Sequence, residues 1–458
     1  MSLTYIHSAE MRRKVYIETY GCQMNISDTE RICTILAEAG YEICDNPSDA
    51  DAVLINTCAV REHAEQRVRG RLDTFGAVKR HRPGVVIGVL GCMAEFHERA
   101  FLERHGMVDI VCGPDEYRSL PCMMESAFEG RRCACTGLSI GETYDDIQPM
   151  HSGGVRAWVT VMRGCDNFCA YCVVPFTRGR ERSRPLKSVV GEVERLATMG
   201  IREVTLLGQN VNSYRDGTHD FADLLRAVAS IDRRLRVRFM TSHPKDFSDR
   251  VIAAIASVPN ICNAVHLPLQ SGSDRILLAM NRGYTSAEYR DRVSAAREAV
   301  PDLALTTDIM VGFPTETEDD HRRTVELMEE IVFDAAFTFR YSPRPKTRAW
   351  GMTDDVPDDV KTRRLEEVIN LQRSHSARCN RAHIGRELEV LVEGPSKRSP
   401  ADWVGRTETD KMVVFPHGDV ARGDYVKVKI LAATSATLRG VVVRNVTHPA
   451  SVQESAVV

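Results

Sequence analysis

No stretch of this chain approaches the ~18–20 consecutive apolar residues that span a bilayer, and its opening, MSLTYIHSAEMRRKVYIETYGC, has no apolar h-region and no small-residue cleavage site. A cytoplasmic protein with no membrane association is expected. An excess of one charge is missing too. Sixty basic residues face 63 acidic ones, for a net charge of −3. That excludes a chain that is basic throughout, so any surface for nucleic acid must be local. With 43% hydrophobic and 27% charged residues, large-scale disorder is also excluded. The length of 458 residues is too great for one ordinary core and calls for roughly two or three domains.

What is plentiful is cysteine, with fourteen in the chain. In a reducing compartment these are buried thiols, metal ligands or catalytic groups before they are disulfides. Their placement follows a pattern. From Lys14 to about Pro121, apolar runs KVYIETYGC, ADAVLINTC, VVIGVLGC and VDIVCG alternate with helical stretches such as SDTERICTILAEAG. Strands alternating with helices mean a parallel sheet covered by helices. Cys22, Cys58 and Cys92 each end a strand beside polar or glycine turn residues (GCQMN, NTCAV, GCMAE). In open parallel sheets, ligands bind beyond the carboxyl ends of the strands. Three cysteines distant in sequence are therefore expected at one edge as ligands. Singly, each could be a small buried hydrophobe. Cys112 also ends a strand; it reads as core filler, with a fourth ligand as the alternative. Cys33, Cys44, Cys122, Cys133, Cys135, Cys262 and Cys379 show no ligand pattern.

This first α/β domain is assigned to 12–135, and aperiodic polar sequence at 136–154 reads as a linker. A second domain, 155–380, repeats the strand–helix alternation. Its strands are expected at AWVTVMRG, VTLLGQN, VRFMTS, AVHLPLQ, LALTTDIMVGFP and AAFTFRYSP. Six such units suggest a partial β/α barrel with its chemistry at the carboxyl ends of the strands. After the fifth, Thr315 and Glu318 are expected to form a capping box for a helix running to about Val332. From about Gly385 the texture changes to short β runs divided by Gly, Pro and Asp, a small β-barrel module assigned to 381–446. It holds 11 Lys/Arg and 8 Asp/Glu, a net of +3. That bias fits RNA binding, and a structural cap is the alternative. The final AVV reads as frayed.

Residues 165–172, CDNFCAYC, lack a fourth cysteine nearby. Structural zinc takes four ligands, commonly in two paired sets. Iron–sulfur clusters are also normally held by four thiolates. Three thiolates, Cys165, Cys169 and Cys172, leave one iron open to a small molecule.

CxxxCxφC, with Tyr171 as the aromatic φ, resembles the radical S-adenosylmethionine superfamily. That resemblance implies a [4Fe–4S] cluster whose open iron chelates the amino and carboxylate groups of S-adenosylmethionine. Cleavage of the sulfonium then gives a 5′-deoxyadenosyl radical. Tyr171 is expected near the adenine, and Gly208, Gln209 and Asn210 near the methionine amino group. Ser242, Gln270 and Asp308, at later strand ends, are further candidates to face the cofactor, and Arg282 could pair with a carboxylate. Together with the first three cysteines and a final TRAM-like barrel, the chain resembles the methylthiotransferase family over nearly its whole length. It looks most like the MiaB-type tRNA methylthiotransferases. The stretches that carry this are YGCQMN, INTCAVREHAEQRV, GCMAE, CDNFCAYCVVPFTRGRERSRP, LLGQNVNSY, HLPLQSGSDRILLAMNRGYT and VGFPTETE. FRYSPRPKTRAW departs from the family, with Lys346 and Arg348 where a glycine and a small residue or proline are common.

The resemblance implies that Cys22, Cys58 and Cys92 hold a second, auxiliary [4Fe–4S] cluster where sulfur is delivered or carried. The implied reaction is 2-methylthiolation of N6-isopentenyladenosine beside the tRNA anticodon. One S-adenosylmethionine gives the methyl group and another the radical. The implied partners are a tRNA anticodon stem-loop, an electron donor such as a flavodoxin-type reductant, and a sulfur source. A monomer is expected. Gln23 and Asn25 are candidates to shape the pocket for the base. Arg178, Arg180, Arg182 and Arg184 could grip phosphates. The radical removes hydrogen directly, so no acid–base residue is assigned. Two sibling substrates stay open: threonylcarbamoyl-adenosine in tRNA and an aspartate of a ribosomal protein. A non-catalytic, metal-stabilised RNA-binding protein is the reading from a different class.

Overall fold

The computed structural model describes residues 12–59, 62–98, 100–151 and 153–446. The opening residues 1–11 and the AVV tail lie outside them. The chain forms two compact units. One is built from residues up to Ser152 together with Val173–Arg180, the other from Gly153–Cys172 and from Glu181 onward.

The first unit is a six-stranded sheet, parallel throughout. Its centre is Lys14–Thr19, Ala52–Thr57, Val86–Gly91 and Ile110–Cys112, as the apolar runs suggest. Every residue of the two middle strands is buried, which is why they read as unbroken apolar runs. Two short edge strands escaped the sequence reading, Glu42–Ile43 and Cys133–Cys135. At two and three residues, neither is long enough to show a period. One face packs Val15, Ile32, Leu36, Leu54, Leu90 and Tyr117, and the other packs Val53, Ile55, Val68, Phe75, Ile87 and Val89.

The second unit holds the six anticipated parallel strands in two sets of three. Arg156–Thr160, Glu203–Leu207 and Arg236–Met240 form one set. Ala264–His266, Ala304–Val311 and Ala335–Arg340 form the other. A bridge from Val237 to Ile261 leads from one set toward the next. The helix after Val311 begins two residues later than expected. Its capping box is Thr317 with Asp320, not Thr315 with Glu318. Thr315 sits at φ +71°, outside the geometry of an N-cap. Lys346 is also left-handed at φ +67°, a conformation that glycine adopts more readily than a residue with a Cβ.

Helix Asp358–Arg381 leads into a closed five-stranded barrel, Glu387–Pro395, Asp402–Thr407, Met412–Pro416, Tyr425–Ala433 and Leu438–Asn445. Closure leaves no open edge. Val390, Val392, Val413, Phe415, Val428 and Ile430 fill it. It is tied to the larger barrel by buried donors. Arg236 donates to Arg406 O at 2.8 Å, Arg238 to Glu408 O at 2.6 Å, and the Tyr425 hydroxyl to Arg234 O at 2.8 Å.

Candidate cluster and cofactor sites

Parallel register decides where the first three cysteines fall. Thr19 pairs with Asn56, Asn56 with Leu90, and Thr57 with Gly91. Cys58 and Cys92 therefore leave adjacent strands at the same level, and Cys22 follows its own strand by a short turn. The Cys22 and Cys58 side chains are hydrogen-bonded, and this contact leads in pulling the Cys22 thiol down to about 6; burial opposes it, and the Arg178 charge adds to it. Cys92 moves the other way, because complete burial outweighs the nearby Arg178. Cys112 pairs with Leu90, two residues short of the level of Cys92, and lies wholly inside the core. It is filler, as its sequence context suggested. Among the described residues, no three Cys, His, Asp or Glu side chains gather in a geometry fit for one metal ion.

Asn25 does not face a substrate. It is fully buried. Its Oδ1 accepts from the Cys22 N–H at 3.4 Å, and its Nδ2 donates to Thr57 O at 3.0 Å. It ties the Cys22 turn to the strand end that carries Cys58. Gln23, at the first position of helix Gln23–Glu38, is partly exposed.

Cys165, Cys169 and Cys172 occupy a loop just past the Arg156–Thr160 strand and the short Met162–Arg163 pairing. The loop is pinned along its length. Gly164 N–H donates to Gln209 Oε1 at 2.6 Å, Ala170 N–H to Met280 O at 2.8 Å, and Asn281 Nδ2 to Phe168 O at 3.0 Å. Burial pushes the Cys165 thiol up to about 11, so without a metal it stays protonated. Tyr171 packs against a cluster that includes Ala170, Ile276, Phe313 and Tyr341.

The sequence-expected cofactor residues lie on strand ends whose register aligns Thr160, Leu207 and Met240. Gly208 follows directly, where a Cβ would stand 2.5 Å from Met162 Cγ. Asn210 Nδ2 donates to Asp246 at 2.7 Å, which leaves Asn210 Oδ1 buried without a hydrogen-bond partner. Ser242 Oγ and Gln270 Oε1 are in the same condition, and so are both amide atoms of Asn212 and His243 Nε2. Orphaned buried polar atoms are rare, and each costs ~1–3 kcal/mol. Several at the C-terminal ends of the strands fit a polar ligand that completes them, as S-adenosylmethionine would. Gln270 is further held at φ +71°, a strained state typical of ligand sites. Asp308 is half-buried, its Oδ1 3.5 Å from His266 Nε2. Asn212 and His243 were missed in the sequence, although the NVNS and TSHP loops that carry them follow recognised strands.

Arg282 is neither solvated nor directed at open space. It is buried and donates to Cys169 Sγ at 3.3 Å, the Tyr284 hydroxyl at 3.1 Å and Pro268 O at 2.9 Å. The arginine row also departs from expectation. Arg184 is buried against Glu192 at 2.7 Å and Thr160 O at 2.7 Å. Arg182 is buried in a short pairing with Arg163, and Arg178 is buried against Asp28 at 2.7 Å. Arg178 and Arg184 are buried in ion pairs and Arg182 is buried in the strand pairing, so of the four only Arg180 presents its side chain at the surface.

His243 gives the site a pH signature. Burial, aided by the Arg282 and Lys245 charges, pushes its imidazole down to about 2 from an ordinary 6.5. The folded state therefore keeps the neutral ring, and the unfolded state takes up the extra proton. Stability is full above about pH 6.5 and falls below it, by up to ~1.4 kcal/mol per pH unit from this one group. His243→Gln should flatten that part of the profile between about pH 6.5 and 5 in denaturant titrations of metal-free protein. An unchanged slope would count against a buried neutral ring.

Residues 14–113 match the family described as uncharacterized protein family UPF0004, 159–328 match the radical SAM superfamily and 381–443 match the TRAM domain. The tRNA-2-methylthio-N(6)-dimethylallyladenosine synthase of Chloroherpeton thalassium is 50% identical over 438 residues, covering 95% of this chain and 97% of that protein. The protein of the same name from Bacteroides fragilis is 49% identical over 441 residues, covering 94% and 96%. Among solved structures, the radical S-adenosylmethionine methyltransferase TsrM from Kitasatospora setae matches with a TM-score of 0.56 at 18% identity, over 74% of each chain. That likeness is one of fold. At half identity across nearly the full length of both chains, the sequence is a member of the tRNA-2-methylthio-N(6)-dimethylallyladenosine synthase family.

Proposed function

We propose that this protein converts N6-isopentenyladenosine, immediately 3′ of the tRNA anticodon, to its 2-methylthio derivative. The observation that carries the reading is the pair of three-cysteine sets at strand ends of two separate sheets, in a chain of this family. Cys165, Cys169 and Cys172 would hold one [4Fe–4S] cluster, and Cys22, Cys58 and Cys92 the auxiliary one. When bound, the clusters and S-adenosylmethionine supply the electron, the hydrogen-abstracting radical, the sulfur and the methyl group. The chain's own part is orientation and exclusion of water. Gln209 fixes the start of the cysteine loop through Gly164. Asn210, Asn212, Ser242, His243 and Gln270 offer buried polar atoms to the cofactor. Tyr171 supplies an apolar wall. The base must be splayed from the anticodon loop to expose its carbon 2. The barrel module from Glu387 is the candidate tRNA-binding surface, and a tRNA substrate supports a cytoplasmic location.

Mass spectrometry of tRNA nucleosides after reaction with S-adenosylmethionine and reductant tests this reading. Two tRNAs are compared, with and without the isopentenyl group. The 2-methylthio product is expected on the first alone. Product on a threonylcarbamoyl-adenosine tRNA in its place, or none on either tRNA, would overturn the assignment.

A further inference from the structure

Eight residues that follow Cys172 directly, Val173–Arg180, belong to the N-terminal unit. Helix Val174–Thr177 ends at Arg178, and Val173 packs with Ala59, Cys92 and Phe96. The segment thereby delivers one charged side chain to the auxiliary triad. Arg178 is 2% exposed. Its Nε stands 3.1 Å from Cys92 Sγ and its Nη2 2.7 Å from Asp28 Oδ2. Asp28 is fully buried and also within 3.5 Å of the Tyr117 hydroxyl. The other triad repeats the device, with buried Arg282 3.3 Å from Cys169 Sγ. A buried guanidinium loses its hydration and persists only where anions compensate it. Here the Asp28 carboxylate is such an anion, and the Cys92 sulfur lies on the other edge of the guanidinium.

We infer that Arg178 is a positioning residue of the auxiliary centre, which sets the reduction potential of that cluster through its hydrogen bond to Cys92 and is itself balanced by Asp28. This rests on the proposed function, since it needs the auxiliary cluster to exist. Hydrogen bonds to cluster sulfurs and the net charge nearby are the protein's levers on such potentials. A cation against the thiolate stabilises the more negative, reduced state and raises the potential. Asp28 pulls the opposite way.

The experiment uses the full chain with Cys165, Cys169 and Cys172 changed to alanine, so that one cluster is observed. The auxiliary midpoint is read by redox titration with electron paramagnetic resonance, alongside iron content. Arg178→Gln is expected to lower the midpoint until the reduced-to-oxidised ratio at the parent midpoint falls tenfold, about 59 mV for one electron. Arg178→Lys, which keeps the charge but loses the fork, should fall between. Asp28→Asn should raise the midpoint. A purely structural ion pair would give no such opposite signs. Should Arg178→Gln lose its iron, the Lys and Asn variants still carry the test. Midpoints that stay at the parent value, or move the same way in the Arg178 and Asp28 variants, would overturn the inference. A parent protein without iron in this background would overturn the auxiliary cluster itself, and is distinguishable from the other outcomes on that ground.

Discussion

Cys165→Ala protein is expected to form no methylthio product, a fall of at least ~10³-fold, while it keeps about four of about eight irons. The reasoning runs from the loop. Cys165 is the first of three thiolates on a segment held by Gly164, Ala170 and Asn281 hydrogen bonds. Those backbone contacts do not involve the thiol, so the fold should survive its removal. With two thiolates in place of three, the site loses one of its sulfur ligands. Liquid chromatography of the reaction should show no 5′-deoxyadenosine from this variant. Retained product formation would remove the radical reading altogether.

The second large effect is expected at Gly91, which carries no chemistry. It precedes Cys92 at φ +85°, where an L side chain costs ~1–2 kcal/mol. An added Cβ would stand 2.4 Å from Asn56 Oδ1 and 2.7 Å from Thr57 O. The second contact is backbone in the middle of a buried strand end, which cannot move aside. Gly91→Ala is therefore expected to destabilise the metal-free protein by ~3 kcal/mol in denaturant titration. It should also displace Cys92 enough to lose the auxiliary iron while the other cluster remains. Gly40, at φ +91° with nothing within 4 Å, is the control. Its alanine variant should show the dihedral penalty alone and full iron. Equal losses at the two glycines would show that the close approach to Thr57 plays no part.

Why could so much of this be read from residue order? The strand ends were legible because the buried strands are continuous apolar runs cut off by Gly–Cys or Thr–Cys. Parallel register then brings sequence-distant ends together without any further information. The six barrel strands and the final small barrel followed from the same contrast. What escaped was set by tertiary pairing. Arg178, Arg182 and Arg184 look alike in sequence whether they face phosphate or carboxylate, and the partners Asp28 and Glu192 are named only by the fold. Asn25 looked like a pocket residue because it adjoins Cys22, yet its amide braces the turn from within. Thr315 and Thr317 both fit a capping pattern, and backbone geometry chose between them. His243 carried no motif. Only the orphaned ring nitrogen beside the other buried polar atoms marks it.

The central claim is two separate three-thiolate centres, and counting iron and acid-labile sulfide per chain tests it most directly. Anaerobically reconstituted parent protein is compared with a variant lacking Cys22, Cys58 and Cys92, one lacking Cys165, Cys169 and Cys172, and one lacking all six. The expected counts are about eight, four, four and zero irons, with sulfide in equal number. A parent holding only about four irons, or either triple variant keeping the full count, would contradict the account.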